Sequence, residues 1–397
     1  MRILAIHNFH RKGSASGDDQ VFKSETKLLE DHGNIVFRYS VCNDEFDNAS
    51  VLGKIFKTLG MMWSFKNYNE VKKIIKTEKP DIVHIHTFFP LLSPSILYAA
   101  KRSGCKVVAT LHDTRFICPC ATSLRGTKLC NLCGDGHYFR MCKYGCFKGS
   151  KAQSFLVAAN FKYHRIRKTF YEQIDKYICL NENQMSLLKK IGFDSGKMIK
   201  KYNFVPDAEA NLKPQRITGL PERYVVFYGR IGEEKGIRVL MKIWEQLPDI
   251  PIVVMGGGPL EKDFAVWARK HSNVSFLGYT QHDKCLAIVK GGEFVVFPSI
   301  WYEGCSMVEI EAESLGDALV ATDLGFSVEA ITNGYNGYKV KLGDIDGFVK
   351  TIRELWNNKE LCKEMGRNAR VDYEKKYQPE DNYNQLISIY QALLRKG

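Results

Sequence analysis

Short apolar runs, separated by stretches of helical periodicity, recur along the whole chain. In the first half ILAIH (3–7), DIVHIH (81–86), KVVATLH (106–112) and KYICLN (176–181) predict strands. Runs this short and continuously apolar suit a parallel sheet covered by helices on both faces. A second series begins at YVVFYGR (224–230). It continues through IVVMGGG (252–258), VSFLG (274–278), EFVVFPS (293–299) and ALVATD (318–323). Strand–helix alternation repeated twice predicts an α/β protein of two Rossmann-like, doubly wound domains. Between them PDAEANLKPQRITGLPE (206–222) carries three of the twelve prolines and no apolar period, as a linker should. The domains are therefore set at 1–206 and 207–375, with a last helical segment over 376–397.

The densest chemistry lies in PSIWYEGCSMVEIEAESLG (298–316). FVVF (294–297) reads as a buried strand, YEGCS as a tight turn, and Met307 to Leu315 as a helix closed by Gly316. A helix start after a glycine turn offers unpaired backbone N–H groups and a positive dipole end, which suit phosphate. Carboxylates at Glu303 and Glu311 suit sugar hydroxyls. Together they point to a nucleotide sugar.

This stretch resembles the E-x7-E signature of the retaining glycosyltransferases of family four. The resemblance implies a GT-B fold, with two Rossmann-like domains facing a cleft and a C-terminal helix crossing back to the first. It implies that Glu303 contacts the donor sugar and Glu311 the ribose. The backbone of Gly304, Cys305, Ser306, Met307 and Val308 would hold the diphosphate. The chain departs from the family at Asp317 and Ala318. Arg230 and Lys235, in GRIGEEKG, resemble the family's GR…KG element. Two fixed cations there would neutralise the diphosphate and the charge that develops as the sugar–phosphate bond breaks. MGGGP (255–259) and FLGY (276–279) fall where the family places a glycine-rich turn and the base.

In the first half, RKGSASGDD (11–19) resembles the family's glycine-rich loop, with Gly13 and Gly17 allowing close backbone approach to the donor. His112, at the end of KVVATLH, matches a histidine that the family points into the cleft near the donor, to hydrogen-bond the reacting sugar or to position the acceptor. His84 and His86, at i and i+2, share one face of a strand. That spacing fits either a metal pair or a polar strand end.

Charge divides the chain. Residues 1–206 hold 33 Lys and Arg against 17 Asp and Glu; residues 207–397 hold 24 against 27. A basic first domain implies an anionic partner such as a membrane surface, or simply a solvated face. FKYHRIRKTFYEQIDKYICL (161–180) sets Phe161, Ile166, Phe170 and Ile174 at helical spacing among cations. A helix lying on lipid headgroups and an ordinary packed helix both fit it. No apolar run is long enough to span a membrane, and MRILAIHNFH does not read as a signal peptide. The expected location is the cytoplasm, with peripheral contact at the inner face of the membrane.

Six of the twelve cysteines fall within 118–146. Cys130 and Cys133 have zinc-knuckle spacing. The pattern resembles one bacterial branch of the family at Cys118, Cys130, Cys133 and Cys146, with Cys142 as a substitute ligand. A structural zinc and free thiols are the two readings of this insert. The resemblance implies no cofactor for catalysis.

The expected activity is retaining transfer of a hexose or N-acetylhexosamine from a nucleoside-diphosphate sugar, with UDP as the first choice of donor and the base left open. The acceptor would be a lipid-linked or other glycan of a bacterial surface polysaccharide. Same-face attack, with the departing phosphate taking the acceptor proton, is the route the resemblance implies. An epimerase or phosphorylase on this fold is one alternative. A zinc-stabilised nucleic-acid binder is another, but it leaves Glu303, Glu311, Arg230 and Lys235 without a role, so nucleic acid is not expected as a partner.

Overall fold

The computed structural model describes residues 1–11, 16–208, 212 and 219–395. They form two compact units. The first comprises 1–123, 130–202 and 382–397; the second comprises 124–129 and 203–381.

The first unit is built on six parallel strands: β1 (Arg2–Phe9), β2 (Ile35–Cys42), β3 (Ile82–Thr87), β4 (Lys106–Leu111), β7 (Lys176–Cys179) and β8 (Met198–Lys200). Their order is β2-β1-β3-β4-β7-β8. The four predicted strands are β1, β3, β4 and β7. The edge strands β2 and β8 went unread, since IVFRYSVC alternates with polar residues and stays half-exposed, and MIK is too short. Between Leu124 and Leu129 a two-residue hairpin, β5 (Leu124–Arg125) with β6 (Lys128–Leu129), forms part of the cysteine insert.

The second unit repeats the plan with β9 (Val225–Tyr228), β10 (Ile252–Met255), β11 (Val274–Gly278), β12 (Val295–Phe297), β13 (Leu319–Thr322) and β14 (Gly337–Val340). Their order is β11-β10-β9-β12-β13-β14, all parallel. In both sheets the strand order reverses beside the first strand. Open α/β sheets bind ligands outside the carboxyl ends of the strands at that reversal.

The chain passes between units at 123/124, 129/130, 202/203 and 381/382. Tyr373 hydrogen-bonds Val205 O, and Asp372 accepts from Asn336, so the helix Lys359–Lys376 stays with the second unit. The helix Pro379–Leu394 packs Leu386, Ile389 and Tyr390 against Ile3, Ile82, Val108 and Ile178 of the first. Of the predicted linker, 209–211 and 213–218 lie outside the described residues.

The stretch 161–180 is not one apolar stripe. Its helix, Lys151–Ile166, ends before Lys168, which takes a left-handed φ of 49°. Phe161, Phe170 and Ile174 are buried in the first unit, while Ile166 is 70% exposed. The helical spacing is broken by that turn and by β7. Among the described residues no helix is long and apolar enough to cross a membrane.

Candidate functional site

In the second unit three loops converge at the strand-order reversal. The loop after β9 carries Arg230, Glu234 and Lys235, and the loop after β12 carries Ser299 to Ser306. They are stitched together by Ile300 N and Ser299 Oγ, which donate to Glu234 O at 2.9 and 3.1 Å. Gly236, at φ 74°, allows this approach, because a Cβ there would overlap the Pro298 carbonyl. The loop after β13 closes on the same point, and a Cβ on Gly325 would stand 2.6 Å from Glu303 N.

This scaffold places Lys235 Nζ 2.7 Å from Glu303 Oε1, which also accepts from Ser299 Oγ at 2.8 Å. Both charged side chains are largely buried. The ammonium lies 5.3 and 5.4 Å from the ring centres of Phe297 and Trp301, so aromatic faces add to its fixation. Arg230 is 49% exposed and pairs with Glu234 at 3.4 Å. Of the two predicted cations, one is thus fixed to the predicted carboxylate and the other is held beside it on the same loop.

The helix Met307–Leu315 begins where expected, capped by Ser306, whose Oγ accepts from Glu309 N, and ends at Gly316 with φ 73°. Its first-turn N–H groups lack intrahelical partners by construction. Cys305 is tied down by Asn203, which donates from its side chain to Cys305 O at 3.0 Å. Glu311 lies just over one turn along, buried, with His282 Nε2 3.6 Å away. Burial pushes its carboxyl up to about 8, against the opposing effect of the Tyr228 hydroxyl beside it. Tyr228 itself donates to Val308 O at 2.8 Å. Ser299, Tyr228, Asn203 and His282 were not singled out from sequence. Each is a common residue whose role appears only when loops distant in sequence meet.

Glu309 and Glu313 are also buried on this helix. Burial raises Glu309 to about 8 and Glu313 well above the usual carboxylate range. Neither position was distinguished from its solvated neighbours by sequence.

In the first unit Gly17 opens the helix Gly17–Asp31, capped by Ser16. Gly13 lies outside the described residues. His7 Nε2 meets Asp19 Oδ1 at 2.8 Å, and the bonds Asp19 shares with His10 and His7 outweigh its burial, keeping it well below the usual range. His112 stands at the end of β4, stacked on His86, with 3.0 Å between His112 Nε2 and His86 Nδ1. Burial, helped by His86, pushes His112 down to about 3, so the imidazole is neutral at physiological pH. It lines a small cavity of about 30 Å³ with Thr87, Phe89, Asp113 and Arg115.

The insert cysteines influence one another. Cys118 is lowered to about 6 chiefly by a hydrogen bond from Cys120, while burial and the neighbouring Cys118, Cys146 and Cys130 raise Cys133 to about 12. Among the described residues, however, the groups of ligand atoms within 4.8 Å of one another are Glu25–His84–His86 and His7–Asp18–Asp19. The cysteine sulfurs lie near each other without that close a set.

Comparison with known proteins gives the family and the fold. The family model of glycosyl transferases group 1 matches residues 210–372, and that of Glycosyltransferase Family 4 matches residues 36–209. The chain belongs to this glycosyltransferase family. It is 24% identical to the putative glycosyltransferase EpsD of Bacillus subtilis over 76% of this chain and 74% of that one. It is 23% identical to an Escherichia coli UDP-Gal:α-D-GlcNAc-diphosphoundecaprenol α-1,3-galactosyltransferase over 80% of this chain and 77% of that one. The structure of HepE from Anabaena in complex with UDP superposes with a TM-score of 0.69 at 16% identity, covering 99% of this chain and all of the other. That likeness establishes the GT-B fold. This glycosyltransferase is also 24% identical to the capsular polysaccharide biosynthesis glycosyltransferase CapM of Staphylococcus aureus over 54% of this chain and 57% of that one.

Proposed function

We propose that this glycosyltransferase moves a hexose or N-acetylhexosamine, with retention, from a UDP-sugar to a lipid-linked or other glycan acceptor of a bacterial surface polysaccharide. The observation that carries the reading is the constellation at the reversal point of the second sheet. There Lys235, Glu303 and Ser299 are joined within 2.8 Å, beside Arg230 and a capped helix start. In this reading Arg230, Lys235 and the amides of Gly304 to Val308 take the diphosphate. Glu303 binds the donor sugar and Glu311 the ribose. The departing phosphate takes the proton of the incoming hydroxyl while the cations hold its charge. His112 hydrogen-bonds the reacting sugar or positions the acceptor. UDP as donor is supported by the names of the Escherichia coli relative and the Anabaena complex. The basic first unit takes an anionic lipid-linked acceptor and rests against the membrane face. The cysteine insert holds one structural zinc, with ligands from Cys118, Cys130, Cys133 and Cys146 or Cys142. Six thiols within 118–146, with Cys130 and Cys133 at zinc-knuckle spacing, support that reading.

Incubation with radiolabelled UDP-sugars, with and without a polyprenyl-diphosphate acceptor, tests the assignment. Acceptor-dependent label in the lipid phase, in the anomeric configuration of the donor, is expected. Interconversion of the free UDP-sugars, or an inverted product, contradicts it.

A further inference from the structure

We propose that Glu25 and His86 are positioning residues that fix the proton of His112 on Nε2, leaving Nδ1 as a hydrogen-bond acceptor. The inference rests on the reading in which His112 takes part in transfer, and it follows from a chain of buried contacts within the first unit.

β3 and β4 run side by side in parallel register, with His84 opposite Val108. Alternation along each strand puts His84, His86, Thr110 and His112 on one face. The helix Gly17–Asp31 lays Glu25 over that face, buried to 1% exposure. A carboxylate this deep needs a countercharge. Lys201, itself 3% exposed, supplies it at 2.9 Å from Glu25 Oε2 and donates also to Asn382 Oδ1 at 2.8 Å. Glu25 is thereby held ionised, and its second oxygen, Oε1, can only accept.

Two nitrogens face that oxygen. His84 Nδ1 is 3.3 Å away, but it already meets the Tyr390 hydroxyl at 2.7 Å, while its Nε2 meets Thr110 Oγ1 at 2.8 Å. His86 Nε2 is nearer, at 3.1 Å, and among the described residues neither it nor Glu25 Oε1 makes an aligned hydrogen bond, so the two act on each other electrostatically across that gap. A carboxylate oxygen and a bare imidazole lone pair would repel at that distance, so His86 Nε2 carries the proton. Lys201 already balances Glu25, and a second proton on His86 would bury an uncompensated cation. His86 Nδ1 is therefore a lone pair. It faces His112 Nε2 at 3.0 Å, and that nitrogen must donate. The one proton of neutral His112 is then used, and Nδ1 is left to accept.

The same charges argue against a metal. Glu25, His84 and His86 bring three ligand atoms within 4.8 Å. A divalent ion would add two positive charges beside a buried ammonium, and both nitrogens of His84 are engaged by hydroxyls. The remaining ionisable groups acting on this array are His7 on β1 and Asp18 on the covering helix. Functionally, a His112 that accepts through Nδ1 pairs with a sugar or acceptor hydroxyl and cannot donate to phosphate.

Long-range ¹H–¹⁵N correlation on histidine-labelled protein at pH 7.5 reads the tautomers directly, with assignment from His86→Gln and His112→Gln spectra. Both rings are expected as the Nε2–H form. A His112 protonated on Nδ1, or a doubly protonated His86, overturns the proposal, and this holds on the wild-type protein alone. In Glu25→Gln a mixture of tautomers is expected at His86 and His112, with kcat down on the order of 10²-fold. Glu25→Asp should restore the single tautomer. A Glu25→Gln spectrum identical to wild type overturns the proposal. The spectra need no substrate. If they agree while His112→Gln transfers sugar at the wild-type rate, the tautomer assignment stands and the role of His112 in transfer falls.

Discussion

Replacing Lys235 by Met keeps the side-chain stem between Phe297 and Trp301 and removes only the ammonium. Glu303 would then lose the charge it now faces at 2.7 Å, in a place where its side chain is 7% exposed. Removing one partner of a buried ion pair costs about 3–5 kcal/mol, and the low end applies because the Lys235 side chain keeps 17% exposure. For a unit of this size about 3 kcal/mol corresponds to a fall in Tm of roughly 6–12 °C. Adding Glu303→Gln to Lys235→Met removes the stranded charge and leaves an amide that still accepts from Ser299. The double variant should recover most of the loss in stability and none of the transfer activity. Calorimetry of wild type, both single variants and the double variant, alongside an activity assay, provides the cycle. A double variant melting with Lys235→Met, or a Lys235→Met protein melting with wild type, refutes the reasoning.

Three further outcomes follow from the same geometry. Gly325→Ala should abolish donor binding while the first unit still folds, because its Cβ would stand 2.6 Å from Glu303 N; unchanged UDP affinity contradicts it. Glu309 is raised to about 8 by burial, above its unfolded value, so its contribution to stability is complete at low pH and lost as pH rises through about 8. Glu309→Gln should therefore lose Tm less steeply than wild type between pH 6 and 9, the residual slope coming from Glu311 and Glu313, and parallel curves would count against the assignment. Acid denaturation should release about one equivalent of zinc from the insert, measured by plasma mass spectrometry; none, with six titratable thiols, removes the metal.

The fold was largely legible because both parallel sheets are buried and their central strands read as continuous apolar runs. What escaped were edges. β2 is interrupted by Arg38 and Ser40, and β14 opens on Gly337 with Tyr338 and Lys339 half-exposed. At the site, Glu303, Glu311, Lys235 and the helix at Met307 were readable because glycine turns and charged residues follow strands closely. The partners that give them their state were not. Lys235 could be assigned to Glu233 or Glu234 as readily as to Glu303, until the approach of Gly236 to Pro298 is known. Likewise nothing local marks Glu25 or Lys201, 176 residues apart, as a buried pair. The 161–180 stretch misled because helical spacing continued across a left-handed residue at Lys168.

The central claim is that the second unit grips a nucleotide sugar by its diphosphate. Titration calorimetry of UDP against uridine, on wild type and on Arg230→Gln, tests it most directly, since Arg230 is half-exposed and its loss leaves the fold intact. Wild type should bind UDP far more tightly than uridine, and Arg230→Gln should lose most of that preference. Equal affinity for UDP and uridine in wild type, or an unchanged ratio in the variant, would contradict it.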